Sequence, residues 1–87
     1  MAPLWIVQVA AENGGRAFNV IVQDDDRTVA EQTAAAAVSA DGWDDVRLVR
    51  SGLVAEDRLP DRDPVFQNAA AAARDLGWAI IRYQPTN

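Results

Sequence analysis

The chain has 87 residues, of which 49% are hydrophobic and 24% are charged, with thirteen acidic and eight basic side chains and a formal charge of −5. This length predicts one small domain spanning residues 1–87, with residues 84–87 as a short polar tail. Cysteine, histidine and lysine are all absent, which excludes disulfides, thiolate nucleophiles, the usual general base and lysine Schiff bases. We therefore expect a protein that is not an enzyme and that uses no cofactor.

The excess of acidic over basic side chains limits the kinds of molecule that the chain can bind. An excess of acid repels nucleic-acid phosphates and anionic lipid headgroups, so we expect no direct contact with nucleic acid or membrane. No apolar run approaches the roughly 18 residues of a membrane span, and the first residues lack the basic start of a secretion signal. The sequence predicts a soluble, cytoplasmic protein.

Two alternating apolar segments, residues 4–11 and 16–23, flank an Asn-Gly pair, which is the strongest short-range signal for a β-hairpin. We place Asn13 and Gly14 at the tip of a type I′ turn, and this choice fixes the register. One face is then wholly apolar and is expected to be core, through the pairs Trp5–Val22, Val7–Val20 and Val9–Phe18. The opposite face is mixed, through the pairs Leu4–Gln23, Ile6–Ile21, Gln8–Asn19 and Ala10–Ala17.

A first helix is predicted after Asp24–Asp26. Thr28 and Glu31 have the spacing of a capping box, so the helix should begin at about Val29 and end at Gly42. Its inward stripe is expected to contain Val29, Thr33, Ala36, Ala37 and Ala40. Because these side chains are small, the helix must lie close to whatever it covers.

A third strand is predicted over residues 46–50. The following Ser51-Gly52 fits either a bulge within a longer strand or a tight turn into residues 53–56, and the sequence leaves both open. Residues 57–63 hold Pro60 among charged side chains and predict a loop.

The second helix is predicted to start at Asp63-Pro64, with Asp63 as N-cap, and to run to Leu76 before Gly77. Its inward residues are expected to be Val65, Ala69, Ala72, Ala73 and Leu76, and residues 78–83 predict a final strand. The pattern of helix, glycine, tryptophan and strand in residues 32–47 recurs in residues 67–82. This repetition, which we call the sequence echo, is explained either by a duplication or by the chance similarity of alanine-rich helices that end at glycine before a strand.

The side chains that could bind a metal or act in catalysis lack the neighbouring residues that these functions need. The three aspartate clusters, at residues 24–26, 41–45 and 57–63, do not follow calcium-loop spacing and lie at element ends, where aspartate caps and turns. Ser39 and Ser51 have no histidine or lysine to activate them. Gly14-Gly15 lies between two strands, which favours a hairpin turn over a phosphate-binding loop. We expect no metal site and no catalytic site.

Aromatic and basic side chains are the remaining candidates for contact. Trp5 is expected in the core, whereas Trp43, followed by Asp44 and Asp45, is expected to be the most exposed tryptophan and a contact residue. Arg47, Arg50 and Arg82 are expected on a solvated strand face and not in an anion-binding patch.

Together these elements predict an α+β two-layer sandwich in ββαβαβ order. Its mainly antiparallel sheet has four strands, or five if residues 53–56 form their own, and both alanine-rich helices cover the apolar hairpin face. The mixed face is then open, and its candidate association patch contains Leu4, Ile6 and Ile21.

For function, we predict a non-enzymatic protein–protein interaction module. Its partner is either another protein or a second copy of the chain, which would give a homodimer. The alternative is an acidic inhibitor or decoy that occupies a basic surface of a nucleic-acid-binding protein, because the chain is acidic and its aspartates cluster.

Overall fold

A computed structural model describes residues 2–81 of the chain. It contains strands β1 (Leu4–Ala11), β2 (Arg16–Gln23), β3 (Arg47–Leu53) and β4 (Trp78–Ile80), helices α1 (Arg27–Ala40) and α2 (Pro64–Leu76), and a 3₁₀ segment (Glu56–Asp61) before α2. The strands form one antiparallel sheet in the order β3-β1-β2-β4. The fold is therefore α+β, with the two hairpin strands at the centre of the sheet.

The predicted hairpin register is confirmed at every pair, from Leu4 opposite Gln23 to Ala10 opposite Ala17. Asn13 (φ 56°, ψ 33°) and Gly14 (φ 88°) have the positive φ values of a type I′ turn. The Gly15 amide donates to the Glu12 carbonyl oxygen at 3.0 Å and closes this turn. Local turn chemistry thus sets the register of the whole hairpin.

The expectation that both helices cover one face is wrong. Ala34 and Val38 of α1 pack with Val7 and Val20 in one buried cluster. A second cluster joins α2 to the other face of the hairpin, through Leu4, Ile21, Phe66, Ala69 and Ala73. Because neighbouring strand residues point to opposite faces, Val20 and Ile21 belong to different cores. The helices therefore lie on opposite sides of the sheet, and the molecule has three layers where two were expected.

The start of α1 also differs from the expectation. Asp26 is the N-cap, and its Oδ1 atom accepts hydrogen bonds from the amides of Thr28 (2.8 Å) and Val29 (3.2 Å). With those amides satisfied by Asp26, Glu31 accepts a hydrogen bond from the Ser51 hydroxyl at 2.7 Å. The capping box between Thr28 and Glu31 is therefore replaced by an aspartate cap.

The inward face of α1 is rotated from the predicted stripe. Its buried residues are Ala30, Ala34, Ala37 and Val38, while Val29, Ala36 and Ala40 are exposed. Alanine occupies so many positions of this helix that the hydrophobic pattern alone does not select one face.

The bounds of α2 are confirmed. The Phe66 amide donates to Asp63 Oδ1 at 2.9 Å, and Gly77 ends the helix with a φ of 96°. The buried residues are Phe66, Ala69, Ala70 and Ala73, whereas Leu76, predicted to be inward, is 76% exposed. Phe66 contributes the largest buried side chain of the helix, so its position decides which side faces the sheet.

Strand β3 runs without a turn through Ser51-Gly52. The register with β1 shifts between Gln8 and Val9, which places a bulge at Val49 and not at Ser51-Gly52. The Val54 amide donates to the Leu4 carbonyl oxygen at 2.9 Å, so residues 53–56 continue past β3 and form no fifth strand in the described chain. The end of the predicted last strand, at residues 82–83, and the predicted tail, at residues 84–87, lie outside the described residues.

The two halves of the sequence echo are built differently. Gly42 and Gly77 both have a φ near 100°, as expected for residues that end a helix in the left-handed conformation. Gly77 is followed at once by β4, whereas residues 43–46 separate Gly42 from β3. The helix endings are alike, and the connections that follow them are not.

Candidate functional site

Helix α2 covers only part of its side of the sheet. Leu4 and Ile21 have no exposed surface and pack against Phe66, so these two residues are core and cannot serve as the predicted association patch. Ile6, the cross-strand neighbour of Ile21, is only half-buried. The uncovered area therefore begins at Ile6 and extends toward β3.

The uncovered half forms a cavity of about 390 Å³ that we name the β3 groove, lined by Ile6, Gln8, Asn19, Arg50, Ser51 and Gly52. The strand register places Asn19, Gln8 and Arg50 side by side on β2, β1 and β3. Arg50 Nε donates to Gln8 Oε1 at 3.0 Å, which holds the guanidinium over the sheet. Gly52 lies opposite Ile6, and no atom lies within 4 Å of the point where its Cβ would be. The groove thus has a polar row, an apolar neighbour and a notch without a side chain.

A second cavity, of about 420 Å³, continues from the same isoleucine toward α2. We name it the Phe66 cavity, and its lining includes Ile6, Val54, Arg58, Asp61, Arg62 and Phe66. The Arg62 guanidinium carbon lies 3.9 Å from the centre of the Phe66 ring, a cation–π contact that orients the planar group. The two cavities together form a continuous depression on one side of the molecule.

The charge of this depression is opposite to that of the chain. It is lined by Arg50, Arg58 and Arg62 against one aspartate, Asp61. The ion pairs within residues 2–81 use other arginines, Arg16 with Glu12 and Arg74 with Glu56. The three lining arginines have no carboxylate partner in the described part of the chain, although the full chain carries five more acids than bases.

The outer edge of the sheet at β3 is protected against pairing with another strand. Arg27 reaches from α1, with its Nε atom donating to Ser51 Oγ at 2.8 Å and an Nη atom donating to the Ser51 carbonyl oxygen. The bulge at Val49 also disturbs the regular spacing of backbone groups that an added strand would need. Edge-to-edge pairing with another strand is therefore disfavoured, and the open face is the more accessible surface.

Apolar side chains are also exposed on the outer strand β3, where Leu48, Val49 and Leu53 are 45%, 53% and 63% exposed. Leu48 and Leu53 pair with Val9 and Trp5, which pack in the α1-side cluster, so the register directs them to the opposite side of the sheet from Arg50 and Gly52. Of these three residues, Leu53 alone lines one of the two cavities, the Phe66 cavity. They therefore do not form one rim around the β3 groove.

The predicted contact residues on the α1–β3 connection lie elsewhere. Trp43 is half-buried in the α1-side cluster, where its ring centre lies 5.1 Å from that of Phe18 and its Nε1 atom donates to Asp41 at 3.1 Å. Asp44 and Asp45 are exposed. Trp43 packs on the opposite side of the sheet from Ile6, and none of the three residues lines either cavity, so the structure does not combine them with Ile6 into one patch.

The tryptophans rank differently from the expectation. Trp78 is 39% exposed and is more open than Trp43. Trp5 is half-buried rather than fully enclosed, and its Nε1 atom donates to the Asp24 carbonyl oxygen at 2.8 Å. Because tryptophan carries a polar N–H group, the half-buried positions of Trp5 and Trp43 keep that group next to an acceptor.

Within residues 2–81, no group of three or more acidic side chains lies close enough together to hold a metal ion. In the same part of the chain, neither helix has the length and apolar character needed to cross a bilayer. The Ser51 hydroxyl is fixed between Arg27 and Glu31, so its hydrogen bonds tie α1 to β3.

Sequence reasoning missed most of the groove. The hairpin register does place Gln8 beside Asn19, but nothing in the sequence indicates that α2 stops short of them. Arg50 and Gly52 were part of an ambiguous strand end, and Arg58 and Arg62 lie in a segment predicted only as a loop. The pairing of Arg50 with Gln8 depends on the bulge at Val49, whereas the sequence pattern fits a bulge only at Ser51-Gly52.

Comparisons with protein-family models, with curated proteins and with solved structures find no match to this chain. The β3 groove and the Phe66 cavity are therefore the features that bear on function.

Proposed function

We propose that this chain is a non-enzymatic protein–protein interaction module whose contact surface is the β3 groove with the adjoining Phe66 cavity. The observation that carries the proposal is the incomplete cover of the second sheet face. Leu4 and Ile21 are fully buried under α2, while Ile6 next to them is half-buried beside an open, concave surface.

The surface offers both apolar and polar contacts to a partner. Full burial of a large apolar side chain is worth about 1.5–3 kcal/mol relative to exposure, so further burial of Ile6 and of Leu53, which is 63% exposed, would stabilise a complex. The polar row of Asn19, Gln8 and Arg50 supplies hydrogen-bonding groups that orient a partner. A concave surface that is polar at Arg50 and apolar toward Phe66 suits recognition of another chain.

A different protein fits this surface better than a second copy does. The β3 edge is guarded by Arg27 and by the bulge at Val49, which disfavours pairing of β3 with its own copy. A homodimer remains the second candidate, and the mass in solution distinguishes the two.

The test fills the notch of the groove. Gly52→Leu places a side chain where no atom lies within 4 Å, at a residue whose φ is not positive, so the fold should be retained. The matched control is Leu76→Gln, a change at a 76% exposed residue outside both cavities. The immobilised wild type and both variants are exposed to a lysate of the cells that make the protein, and the solution mass of each is measured.

We expect a partner, or a dimeric mass, that is present for the wild type and for Leu76→Gln and is lost for Gly52→Leu. An identical result for all three proteins would refute the proposal. Binding that survives Gly52→Leu but is lost when Asp44 and Asp45 are changed to asparagine would instead assign the acidic decoy function, because those exposed carboxylates line neither cavity.

A further inference from the structure

We infer that the β3 groove binds an extended, acidic segment of a partner protein, with a carboxylate of that segment on Arg50 and an apolar side chain at the notch beside Ile6. This inference rests on the proposed interaction function and adds the chemistry of the partner.

The first argument is the segregation of charge. Acidic side chains outnumber arginines thirteen to eight, so an arginine at a random surface position has acids to pair with. Within the described residues only Arg16 and Arg74 form ion pairs, and of the five arginines that form none, three (Arg50, Arg58 and Arg62) line one depression. A carboxylate from outside would supply the missing charge-assisted hydrogen bonds, for which the guanidinium fork is well suited.

The second argument is the geometry around Arg50. Its Nε atom donates to Gln8 Oε1, and this bond holds the guanidinium in place while both terminal amino groups remain available. The side-chain amides of Gln8 and Asn19 lie in the same row and carry further N–H donors. The centre of the groove is therefore rich in donors, which favours an acceptor-only ligand such as a carboxylate.

The third argument is the spacing along β3. Arg50 and Gly52 pair with Gln8 and Ile6, so they lie on the same face of the strand, about 7 Å apart. In an extended segment, every second side chain also projects to the same side at about this spacing. A carboxylate at Arg50 thus places the next same-side residue over the notch at Gly52, beside Ile6, where an apolar side chain fits.

The fourth argument fixes the direction of the charge pattern. Asp61 lines the Phe66 cavity together with Arg58 and Arg62 and offsets part of their charge, whereas no acidic side chain lines the β3 groove beside Arg50. The carboxylate of the ligand therefore belongs at the Arg50 end, and the apolar residue belongs toward Phe66. The ligand therefore alternates acidic and apolar residues. A uniformly charged polymer lacks the apolar side chains that this arrangement needs.

The experiment uses the full chain and two labelled peptides of about eight residues, one alternating glutamate with valine and one alternating lysine with valine. Fluorescence anisotropy measures both affinities at low and at physiological salt. We expect the glutamate peptide to bind at least about tenfold more tightly than the lysine peptide, with an affinity that falls as salt rises.

Two charge reversals on opposite sides of the sheet locate the contact. Arg50→Glu should weaken binding of the glutamate peptide by about tenfold or more, whereas Arg16→Glu makes the same change of net charge beside Trp43 on the α1 side and should have an effect of about twofold or less. Thermal unfolding of both variants verifies that each is folded. Equal effects of the two reversals would overturn the inference, because they would indicate a general charge effect.

The remaining outcomes separate this inference from the proposed function. Equal affinity for the two peptides, or tighter binding of a single-stranded oligonucleotide than of the glutamate peptide, would overturn the acidic-segment inference. If a cellular partner still depends on Gly52 in that case, the interaction function stands and only the chemistry assigned to its partner is wrong. If neither partner nor peptide depends on Gly52, both are wrong.

Discussion

The two faces of the hairpin differ in how completely a helix covers them. On the α1 side, Val7, Val9, Val20 and Val22 are all buried, and the helix closes the core. On the α2 side, Leu4 and Ile21 are buried, but Ile6, Gln8 and Asn19 remain partly open. One face therefore mainly stabilises the domain, while the other combines a small core with a surface available for binding.

The paths of the helices explain this difference. Helix α1 packs against all four strands, whereas the main contacts of α2 are with β2 and β4. The part of the second face above β3 and above β1 from Ile6 onward is consequently not covered by a helix. Since β1 and β2 are central strands, their residues alternate between a closed and a half-open environment, and neighbouring positions should respond very differently to mutation.

The largest expected effect separates Ile21 from Ile6, which are cross-strand neighbours on the α2 side. Ile21→Ala should lower the free energy of unfolding by about 2–5 kcal/mol, because the side chain is fully buried against Phe66 and its removal leaves a cavity. Ile6→Ala should cost about half as much or less, since Ile6 is already partly exposed. Urea unfolding measures both values, and equal losses would mean that α2 covers the two residues alike.

A somewhat smaller effect is expected from enlarging an alanine under α1. Ala34→Leu should destabilise the protein by about 1–3 kcal/mol, because Ala34 is fully buried against the sheet and the helix would have to move away. Ala36→Leu, on the exposed side of the same helix, should change stability by about 0.5 kcal/mol or less. Thermal unfolding compares the two, and the reverse ranking would support the originally predicted stripe.

The smallest expected effect concerns the start of α1. Asp26→Ala should cost about 0.5–2 kcal/mol, because the carboxylate accepts hydrogen bonds from the amides of Thr28 and Val29. Its neighbour Asp25 is exposed and does not cap the helix, so Asp25→Ala should cost about 0.5 kcal/mol or less. Chemical denaturation resolves this difference, and a similar loss from both would indicate a general charge effect at the helix start.

Features set by neighbouring residues were predicted well. Asn13 and Gly14 adopt the positive φ values expected of them, and the resulting register is correct at every pair. Asp63 and Pro64 start α2, and Gly77 ends it, at the predicted positions. In each case a cap or a turn residue satisfies backbone groups within a few residues, so no information from the rest of the chain is needed.

Features that depend on the choice of a face were predicted poorly. The alanine-rich helices offer several similar stripes, and the predicted inward positions Val29 and Leu76 are exposed. The candidate patch was likewise placed on Leu4 and Ile21, which are buried, and only Ile6 remains at the surface. The arginines that line the two cavities come from β3 (Arg50), from the 3₁₀ segment (Arg58) and from the residue that follows it (Arg62), and no sequence signal links β3 to that segment.

The amino-acid sequence alone determined the elements of this protein, their order and the hairpin pairing, because turns, caps and strand alternation act over a few residues. Tertiary structure alone decided that α1 and α2 lie on opposite faces, and it left the surface around Ile6 and Arg50 uncovered. The physical reason is that both hairpin faces carry apolar side chains, so either can serve as core, and only the packing of Phe66 against Leu4 and Ile21 selects the position of α2.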